Sequence, residues 1–288
     1  MSSMREIKTR ITATQKTSQI TKAMNMVSAA KLRKTEKKYR AFQPIRKKIE
    51  TILEDILSTT PDIEHPLLKA RPVIKTGYIL IASDRGLAGP YNNNVFKAFQ
   101  KHVSEHHASK DEFLVGTVGY KAFAFCKRNK YQIVNSESVN SRDEVQFIDF
   151  QAMSRTFVNN FLFGLVDEIV VFHSHYVNTL TQTVQIETLL PITTLKKDPG
   201  HLQSQYIFEP SADAIIDKLL PIYLDNTLYG IILDAKTSEH ASRMTAMKNA
   251  TDNAKEVIGT LRLHYNRARQ SAITIELTDI IGGANAVN

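Results

Sequence analysis

The chain has 288 residues, of which 42% are hydrophobic and 23% are charged, a composition typical of folded globular proteins. This length allows one large domain or two ordinary ones. A single cysteine, Cys126, excludes a disulfide scaffold and a cysteine-rich metal site. It lies in the apolar run AFAFC, which predicts a buried, reduced thiol.

The positive charge is concentrated at the start of the chain. Residues 1–50 contain 14 Lys and Arg against three Glu, and although the whole chain carries +8, the remaining 238 residues carry −3. A basic segment favours an anionic partner, which leaves nucleic acid, lipid headgroups and acidic protein surfaces open. No run approaches the roughly 20 apolar residues of a membrane span, and the N-terminus lacks the apolar core of a signal peptide. We therefore interpret this segment as mature helix in a cytosolic protein.

The first 60 residues predict one long helix, because they contain no glycine and the first proline is Pro44. Mostly small residues recur in this segment at alternating spacings of three and four. Small side chains at such a seam permit close approach to a partner helix but add little hydrophobic stabilisation. The predicted seam consists of Ala13, Lys16, Ile20, Ala23, Val27 and Ala30.

In the middle of the chain, apolar runs of strand length alternate with helical stretches. Such alternation predicts an α/β, Rossmann-like domain with a mostly parallel sheet covered by helices. The predicted strands are residues 78–82, 113–118, 131–134 and 168–173, and the predicted helices are residues 91–102, 120–128 and 143–163. A further strand is predicted over residues 181–190, antiparallel at an edge of the sheet.

The C-terminal segment has no proline after Pro221, and we predict a helix from about residue 238 to residue 281, roughly 65 Å long at 1.5 Å per residue. A seven-residue repeat in it predicts a left-handed coiled coil. The members of the repeat are His240, Met244, Met247, Thr251, Ala254, Ile258, Leu261, Tyr265, Ala268, Ala272 and Ile275.

The two terminal helices are best explained as an antiparallel pair, because the repeated seam residues of each helix can pack on those of the other. The alternative is a pair of amphipathic helices lying on a globular core. We predict three segments: a coiled-coil helix over residues 1–60, an α/β domain over 61–210 and a second coiled-coil helix over 211–288.

The stretch SDRGLAGPYNNN, from Ser83 to Asn94, follows a strand and precedes a helix, the layout of a phosphate-binding loop. A Walker loop needs Lys and Ser or Thr after its last glycine, but Pro90 and Tyr91 follow Gly89. The dinucleotide fingerprint needs three glycines, and only two are present. A turn with Asp84 or Arg85 facing outward is the favoured interpretation, and nucleotide binding is the alternative.

Other candidate sites are incomplete in the sequence. His173 and His175 share one face of a strand and are suited to a metal, but no Asp, Glu or Cys stands at ligand-like spacing beside them. No nucleophile elbow is present. The basic run from Lys31 to Arg40 lacks base-reading residues on a dimer zipper, so a protein-facing positive surface is favoured over a nucleic-acid site. We predict no catalytic residue, cofactor or metal.

The C-terminal stretch AITIELTDII, residues 272–281, is apolar nearly all round. An apolar helix end requires surrounding protein. It follows Arg267, Arg269 and Gln270, whose guanidinium and amide groups suit planar contacts with carboxylates or backbone. We therefore predict that this end is enclosed by a protein partner.

Four blocks of the sequence together resemble the gamma subunit of the proton-translocating ATP synthase of bacteria. They are ITKAMNMV (20–27) with AKLR (30–33), SDRGL (83–87), RMTAMKNATDN (243–253) and YNRARQSAITIELTD (265–279). The chain departs from the family pattern at Ala88 and Pro90, where Cys and Gly are usual, at Asn25, where Glu is frequent, and at Ala254 and Lys255, where a Gly pair is common.

The resemblance implies a non-catalytic central rotor. In this family a coiled coil enters the hexamer of alpha and beta subunits, and an α/β foot lies on the membrane c-ring beside the epsilon subunit. Proton flow turns the ring and the shaft, which drives ATP synthesis or hydrolysis in the hexamer. The implied location is the cytoplasmic face of the bacterial inner membrane, as a peripheral membrane protein, with no nucleic-acid partner.

The resemblance also implies contact residues for the partners of the chain. Met24 is expected near Arg243 on the shaft, and Lys31 to Lys38 opposite acidic loops of the head. The residues expected to face the catalytic head are Met24, Arg85, Arg243, Arg269, Gln270, Thr274 and Glu276. Those expected to face the ring and the epsilon subunit are Tyr206 and Glu209. A coiled-coil nucleic-acid binder and an enzyme using the Gly86–Gly89 loop remain the rival hypotheses.

Overall fold

The computed structural model describes residues 4–60, 63–135, 146–193, 195 and 208–287. Its elements are helix α1 (Met4–Thr59), strand β1 (Thr76–Ile81), helix α2 (Tyr91–His106), strand β2 (Phe113–Val118), helix α3 (Tyr120–Arg128), helix α4 (Phe147–Leu162), strand β3 (Glu168–Tyr176), strand β4 (Gln182–Leu190) and helix α5 (Ala212–Val287). The contacts within the chain group these elements into two compact units. A terminal unit contains Met1–Ser28 with Met244–Asn288, and a central unit contains Ala29–Arg243.

The central unit is built on a four-stranded sheet with the order β2-β1-β3-β4. Strand β1 pairs in parallel with β2 and with β3, whereas β4 pairs antiparallel with β3 at one edge. Successive residues of β1 point to opposite faces, so that Tyr78 and Leu80 belong to one hydrophobic cluster and Ile79 and Ile81 to the other. The mostly parallel α/β sheet and its antiparallel edge strand are therefore as predicted.

Helices cover both faces of this sheet. Helices α2 and α3 contribute to the cluster around Tyr78, through residues such as Val95, Phe99 and Phe125. On the other face, helix α4 and the central-unit parts of α1 and α5 supply the second cluster. With both faces buried, the inner strands consist of nearly continuous apolar residues rather than an alternating pattern.

Glycine at position 116 permits the close packing of helix α4 on the sheet. A Cβ atom at Gly116 would lie 2.3 Å from Cε2 of Phe157, whose ring is 1% exposed. A second glycine, Gly119, has a φ of 87° at the start of α3, and a Cβ atom there would lie 2.1 Å from the carbonyl oxygen of Ala82. Both positions therefore exclude any side chain.

The terminal unit is an antiparallel pair of helical segments from α1 and α5. The side-chain amide of Asn25 donates to the carbonyl of Met244 over 2.7 Å, and the Thr251 hydroxyl donates to the Thr21 hydroxyl over 2.7 Å. The lower-numbered residue of α1 thus meets the higher-numbered residue of α5, as an antiparallel pairing requires. No helix of the described residues is long and apolar enough to cross a membrane.

The seam predicted for α5 is confirmed along most of its length. From His240 to Ala272 all ten predicted seam positions are buried or half-buried, and only Ile275 is exposed. Helix α5 nevertheless begins at Ala212, well before the predicted start near residue 238. Pro221 lies inside it at an exposed position, where the proline removes one helix hydrogen bond.

The seam predicted for α1 is wrong, since Ala13, Lys16, Ile20, Ala23, Val27 and Ala30 are all exposed. The buried or half-buried positions that keep the seven-residue spacing are Ile7, Ile11, Thr14, Ser18, Thr21, Asn25, Ser28, Leu32 and Thr35. Hydroxyl groups on this face donate to the helix backbone, as Thr14 does to the carbonyl of Arg10 over 2.9 Å and Thr21 to that of Ser18 over 3.1 Å. Polar side chains can therefore line the contact without leaving unpaired donors.

Two other expectations differ from the structure. The predicted strand at residues 131–134 is limited to one bridge, between Ile133 and Val115. Helix α4 begins at Phe147 among the described residues, and residues 143–145 of its predicted start lie outside them. The three-segment division at residues 60 and 210 stays a prediction.

Candidate functional site

The carboxyl edge of the parallel strands, where Rossmann-like domains bind their ligands, is covered in this chain by helix α5. The loop after β1 contacts α5 at three points. The Ser242 hydroxyl donates to the carbonyl of Ala88 over 2.7 Å, and the Tyr91 hydroxyl donates to the carbonyl of Ala235 over 3.0 Å. Arg243 Nη2 donates to the carbonyl of Arg85 over 3.2 Å.

The loop from Ser83 to Asn94 also satisfies its own polar groups. The backbone N–H of Ser83 donates to Asn92 Oδ1 over 3.0 Å, and the backbone N–H of Tyr120 donates to Asp84 Oδ1 over 2.9 Å. This is the architecture of a fixed turn, since the side chains bind backbone groups of the chain itself. The turn leaves Arg85 and Leu87 exposed to solvent.

A buried charge network on α5, formed by Lys236, Glu239 and Arg243, is hydrogen-bonded to this turn. Glu239, 3% exposed, accepts from Lys236 Nζ over 2.9 Å and from Arg243 Nη1 over 2.7 Å. Burial by itself raises the pKa of Glu239, but the charges of Lys236 and Arg243 outweigh burial and hold the pKa below its ordinary value of 4.5. Arg243 therefore uses one nitrogen on Glu239 and the other on the loop, which fixes the loop relative to α5.

The two histidines singled out in the sequence lie at the end of β3, close to a residue of α5. His175 Nδ1 is 2.6 Å from Asp234 Oδ2, and His173 Nε2 is 3.5 Å from the same oxygen. The other oxygen of Asp234 accepts from the backbone N–H of Tyr176 over 3.1 Å. Asp234 is 59 residues from His175 in the chain, so residue spacing could not have revealed it.

The terminal unit exposes apolar side chains on the outer face of its α1 segment. Ile20 is 60% exposed, Met26 57% and Val27 53%. These are the residues that a hydrophobic seam would have used. Because the seam of this α1 segment uses Ser, Thr and Asn residues after Ile7 and Ile11, the apolar side chains of its outer face remain in water.

The C-terminal end of α5 is exposed on all sides. Ala272 is the last half-buried residue, and from Ile273 to Ile281 every residue is exposed. Five of these residues are large and apolar, with exposed fractions between 49% and 62%: Ile273, Ile275, Leu277, Ile280 and Ile281. Contiguous exposed apolar side chains of this kind are typical of protein-binding surfaces.

Comparison with known protein families gives a match over nearly the whole chain. The family model described as ATP synthase matches residues 3–287. The chain is 44% identical over 288 residues, the full length of both proteins, to the ATP synthase gamma chain of Staphylococcus saprophyticus subsp. saprophyticus. The ATP synthase gamma chain of Macrococcus caseolyticus matches at the same identity and coverage.

The chain belongs to the ATP synthase gamma chain family. Solved structures with low sequence identity share the fold. A chain from the Euglena gracilis mitochondrial ATP synthase, in a structure of its OSCP, F1 and c-ring, has a TM-score of 0.66 at 18% identity and covers 99% of this chain and 94% of its own. A chain from the central stalk and c-ring of the Tetrahymena thermophila enzyme has a TM-score of 0.59 at 22% identity, over 80% of this chain and 99% of its own.

The predicted contact residues of this gamma chain family member differ in accessibility. Four residues near the end of α5 are exposed: Arg269, Gln270, Thr274 and Glu276. Arg85 and Glu209 are also exposed, and Met24 is half-buried in the terminal unit. Arg243 differs, because its side chain is only 12% exposed and is bound to Glu239 and the loop. Tyr206 lies outside the described residues.

Residues of the network were missed by the sequence analysis. Lys236 and Glu239 stand at i and i+3 of a helix, a spacing that ordinarily indicates a solvated surface pair. Tertiary packing around this part of α5 buries both residues, which are 3% exposed. Cys126 agrees with its interpretation, since it is fully buried and burial raises the pKa of its thiol to about 12.

Proposed function

We propose that the chain is the central rotor subunit that couples proton flow through a membrane ring to ATP synthesis and hydrolysis in a catalytic hexamer. The observation that carries this proposal is the bare apolar end of α5, from Ile273 to Ile281. Such an end needs an enclosing protein, and family membership supports the alpha and beta subunits as that enclosure.

The chain acts in this proposal without catalytic groups of its own. The carboxyl edge of its sheet, where a nucleotide is expected in a Rossmann-like domain, is filled by Tyr91, Ser242 and Arg243. An asymmetric shaft turning inside a hexamer favours a different conformation of each catalytic site, and so shifts nucleotide affinity as any ligand with differential affinity does. The nucleotide chemistry then belongs to the partner subunits.

Each predicted contact surface has a role in this proposal. Arg269, Gln270, Thr274 and Glu276, with Met24 and Arg85, face the head. Arg243 acts indirectly, because its side chain donates a hydrogen bond to the backbone carbonyl of Arg85. The central unit lies on the ring and the epsilon subunit through the region of Tyr206 and Glu209, at the cytoplasmic face of the membrane.

The test is reconstitution of the full chain with separately purified alpha and beta subunits. We expect a stoichiometric complex that hydrolyses ATP, and no turnover by the chain alone. In the variant Ile275→Asp/Leu277→Asp, charges replace two exposed apolar side chains of the α5 end, and assembly is expected to fall at least about tenfold, the equivalent of 1.4 kcal/mol.

A matched control is Leu180→Asp, which introduces the same charge at a residue that is 79% exposed in the central unit. We expect this variant to assemble with the hexamer normally. Equal assembly of both variants, ATP turnover by the isolated chain, or recovery of nucleic acid as its only partner would refute the proposal.

A further inference from the structure

A cluster of metal-binding side chains lies between the sheet and helix α5. It consists of His173 and His175 on β3 and Asp234 on α5, all within the central unit. One ligand atom from each residue lies within 4.8 Å of the others. The i and i+2 positions of a strand direct both imidazoles to one face, where Asp234 meets them.

The donor set is that of a borderline divalent transition metal. Imidazole nitrogen with a carboxylate oxygen is a common zinc environment, whereas calcium and magnesium prefer oxygen ligands alone. With zinc bonds of about 2.0–2.2 Å, ligand atoms of a tetrahedral site lie roughly 3.4 Å apart. The separation of 3.5 Å between His173 Nε2 and Asp234 Oδ2 already matches this value.

The ring of His173 is poorly satisfied without a ligand. Its side chain is 1% exposed, and its Nδ1 atom has no hydrogen-bond partner among the described residues. Its Nε2 atom faces two carboxylates, that of Asp234 at 3.5 Å and that of Glu187 at 3.7 Å. Both distances exceed the usual hydrogen-bond length, so Nε2 is the ring atom that could share a cation with these carboxylates.

The cluster also has a path to solvent and a fourth ligand. The side chain of His175 is 31% exposed and that of Glu187, on β4, is 36% exposed, so an ion can enter from their side. Glu187 extends toward His173 and supplies a second carboxylate. With Glu187 added to the three clustered residues, the site would have two imidazoles and two carboxylates, the number of ligands of a tetrahedral zinc site.

We propose that His173, His175, Asp234 and Glu187 bind one Zn²⁺ ion, which joins strands β3 and β4 to helix α5. Binding breaks the hydrogen bond between His175 and Asp234 and releases its proton to solvent, while the ion forms bonds to both residues. The site is structural, because four protein ligands leave no open position for a substrate. This inference does not depend on the rotor proposal.

The test uses the full chain after dialysis against a chelator. Calorimetric titration with ZnCl₂ is expected to show one ion per chain and to raise the unfolding temperature of the central unit. Co²⁺ added in place of Zn²⁺ is expected to give the visible absorption of a tetrahedral site. The variant His175→Gln, at a partly exposed position, is expected to weaken Zn²⁺ binding at least about tenfold. Even changing a residue that only hydrogen-bonds to a metal ligand has an effect of about this size.

The control is His106→Gln. His106 is exposed and stacks on His102 one helical turn away, so this pair is the competing surface site for a transition metal. Far-UV circular dichroism verifies that each variant is folded. The Co²⁺ spectrum is measured on the unmodified chain, so this result does not depend on the folding of any variant. Absence of stoichiometric Zn²⁺ binding, unchanged affinity in His175→Gln, or loss of binding in His106→Gln would overturn the proposal and leave the cluster as a hydrogen-bonded link.

Discussion

Replacing Glu239 with glutamine tests whether the buried charge network fixes the loop after β1. Glu239 accepts from two cations at 2.7 and 2.9 Å. At an effective dielectric constant of about 20, each such contact is worth about 6 kcal/mol, most of which is offset by removing the ions from water. Losing only the anion removes a buried counter-charge from both cations, and we expect a destabilisation of about 3–5 kcal/mol.

The effect of Glu239→Gln is expected to depend on pH. Because the folded-state pKa of Glu239 lies below the ordinary 4.5, its contribution to stability is fully present above pH 4.5. That contribution is lost as the pH falls through the folded-state pKa, where the native carboxylate takes up a proton. The difference in unfolding free energy between wild type and variant should therefore be constant near neutral pH and should shrink in acid.

Urea unfolding followed by far-UV circular dichroism measures this difference in free energy. Asp252→Asn is the matched control, since Asp252 pairs with Lys255 over 2.9 Å but both side chains are more than half exposed. We expect no measurable destabilisation from it, as for most surface pairs. Hydrogen exchange of the backbone amides near Arg85 should accelerate in Glu239→Gln, because Arg243 loses its anchor. A destabilisation under about 1 kcal/mol, or one independent of pH, would refute this account.

Three further predictions concern packing. Gly116→Ala should destabilise the chain by about 1–3 kcal/mol in urea, because its Cβ overlaps the Phe157 ring; an unchanged midpoint would contradict that contact. Ser28→Asp should lower the free energy of unfolding by more than about 2 kcal/mol, and Ile20→Asp by less than about 0.5 kcal/mol. The reverse order would mean that Ile20, and not Ser28, faces the partner helix. The Cys126 thiol, with its pKa raised to about 12, should resist alkylation at mildly alkaline pH until denaturant is added; rapid labelling of the native chain would show that it is accessible.

The parts of the fold that depend on periodicity could be predicted from the sequence. The seam of α5 repeats large apolar residues such as Met247 and Leu261, and burial of these residues is what holds that helix. On α1 the same reasoning failed, because Ile20 and Val27 mark the outer face whereas Thr21 and Ser28 mark the contact. Periodicity identifies the most hydrophobic face of a helix. In the terminal part of α1 that face is exposed, and a more polar face packs on α5.

The candidate site could be predicted only where it is local in sequence. The turn after β1 was recognised from Pro90 and the missing third glycine. Glu239 pairs with Lys236 and Arg243 on its own helix, and the sequence could not show that Lys236 and Glu239 are buried. Asp234 could not be assigned, because it meets His173 and His175 only when α5 packs on β3. Pairings of this kind depend on tertiary packing, which has no counterpart in residue spacing.

The hydroxyl-lined contact of the terminal unit has a thermodynamic consequence. Seam residues such as Thr14 and Ser18 bury little apolar area, while Ile20 and the end of α5 leave theirs in water. In the rotor proposal, partner subunits bury these apolar surfaces, so part of the free energy that orders residues 4–28 and 260–281 is gained on assembly. Assembly and the ordering of these residues are then linked equilibria.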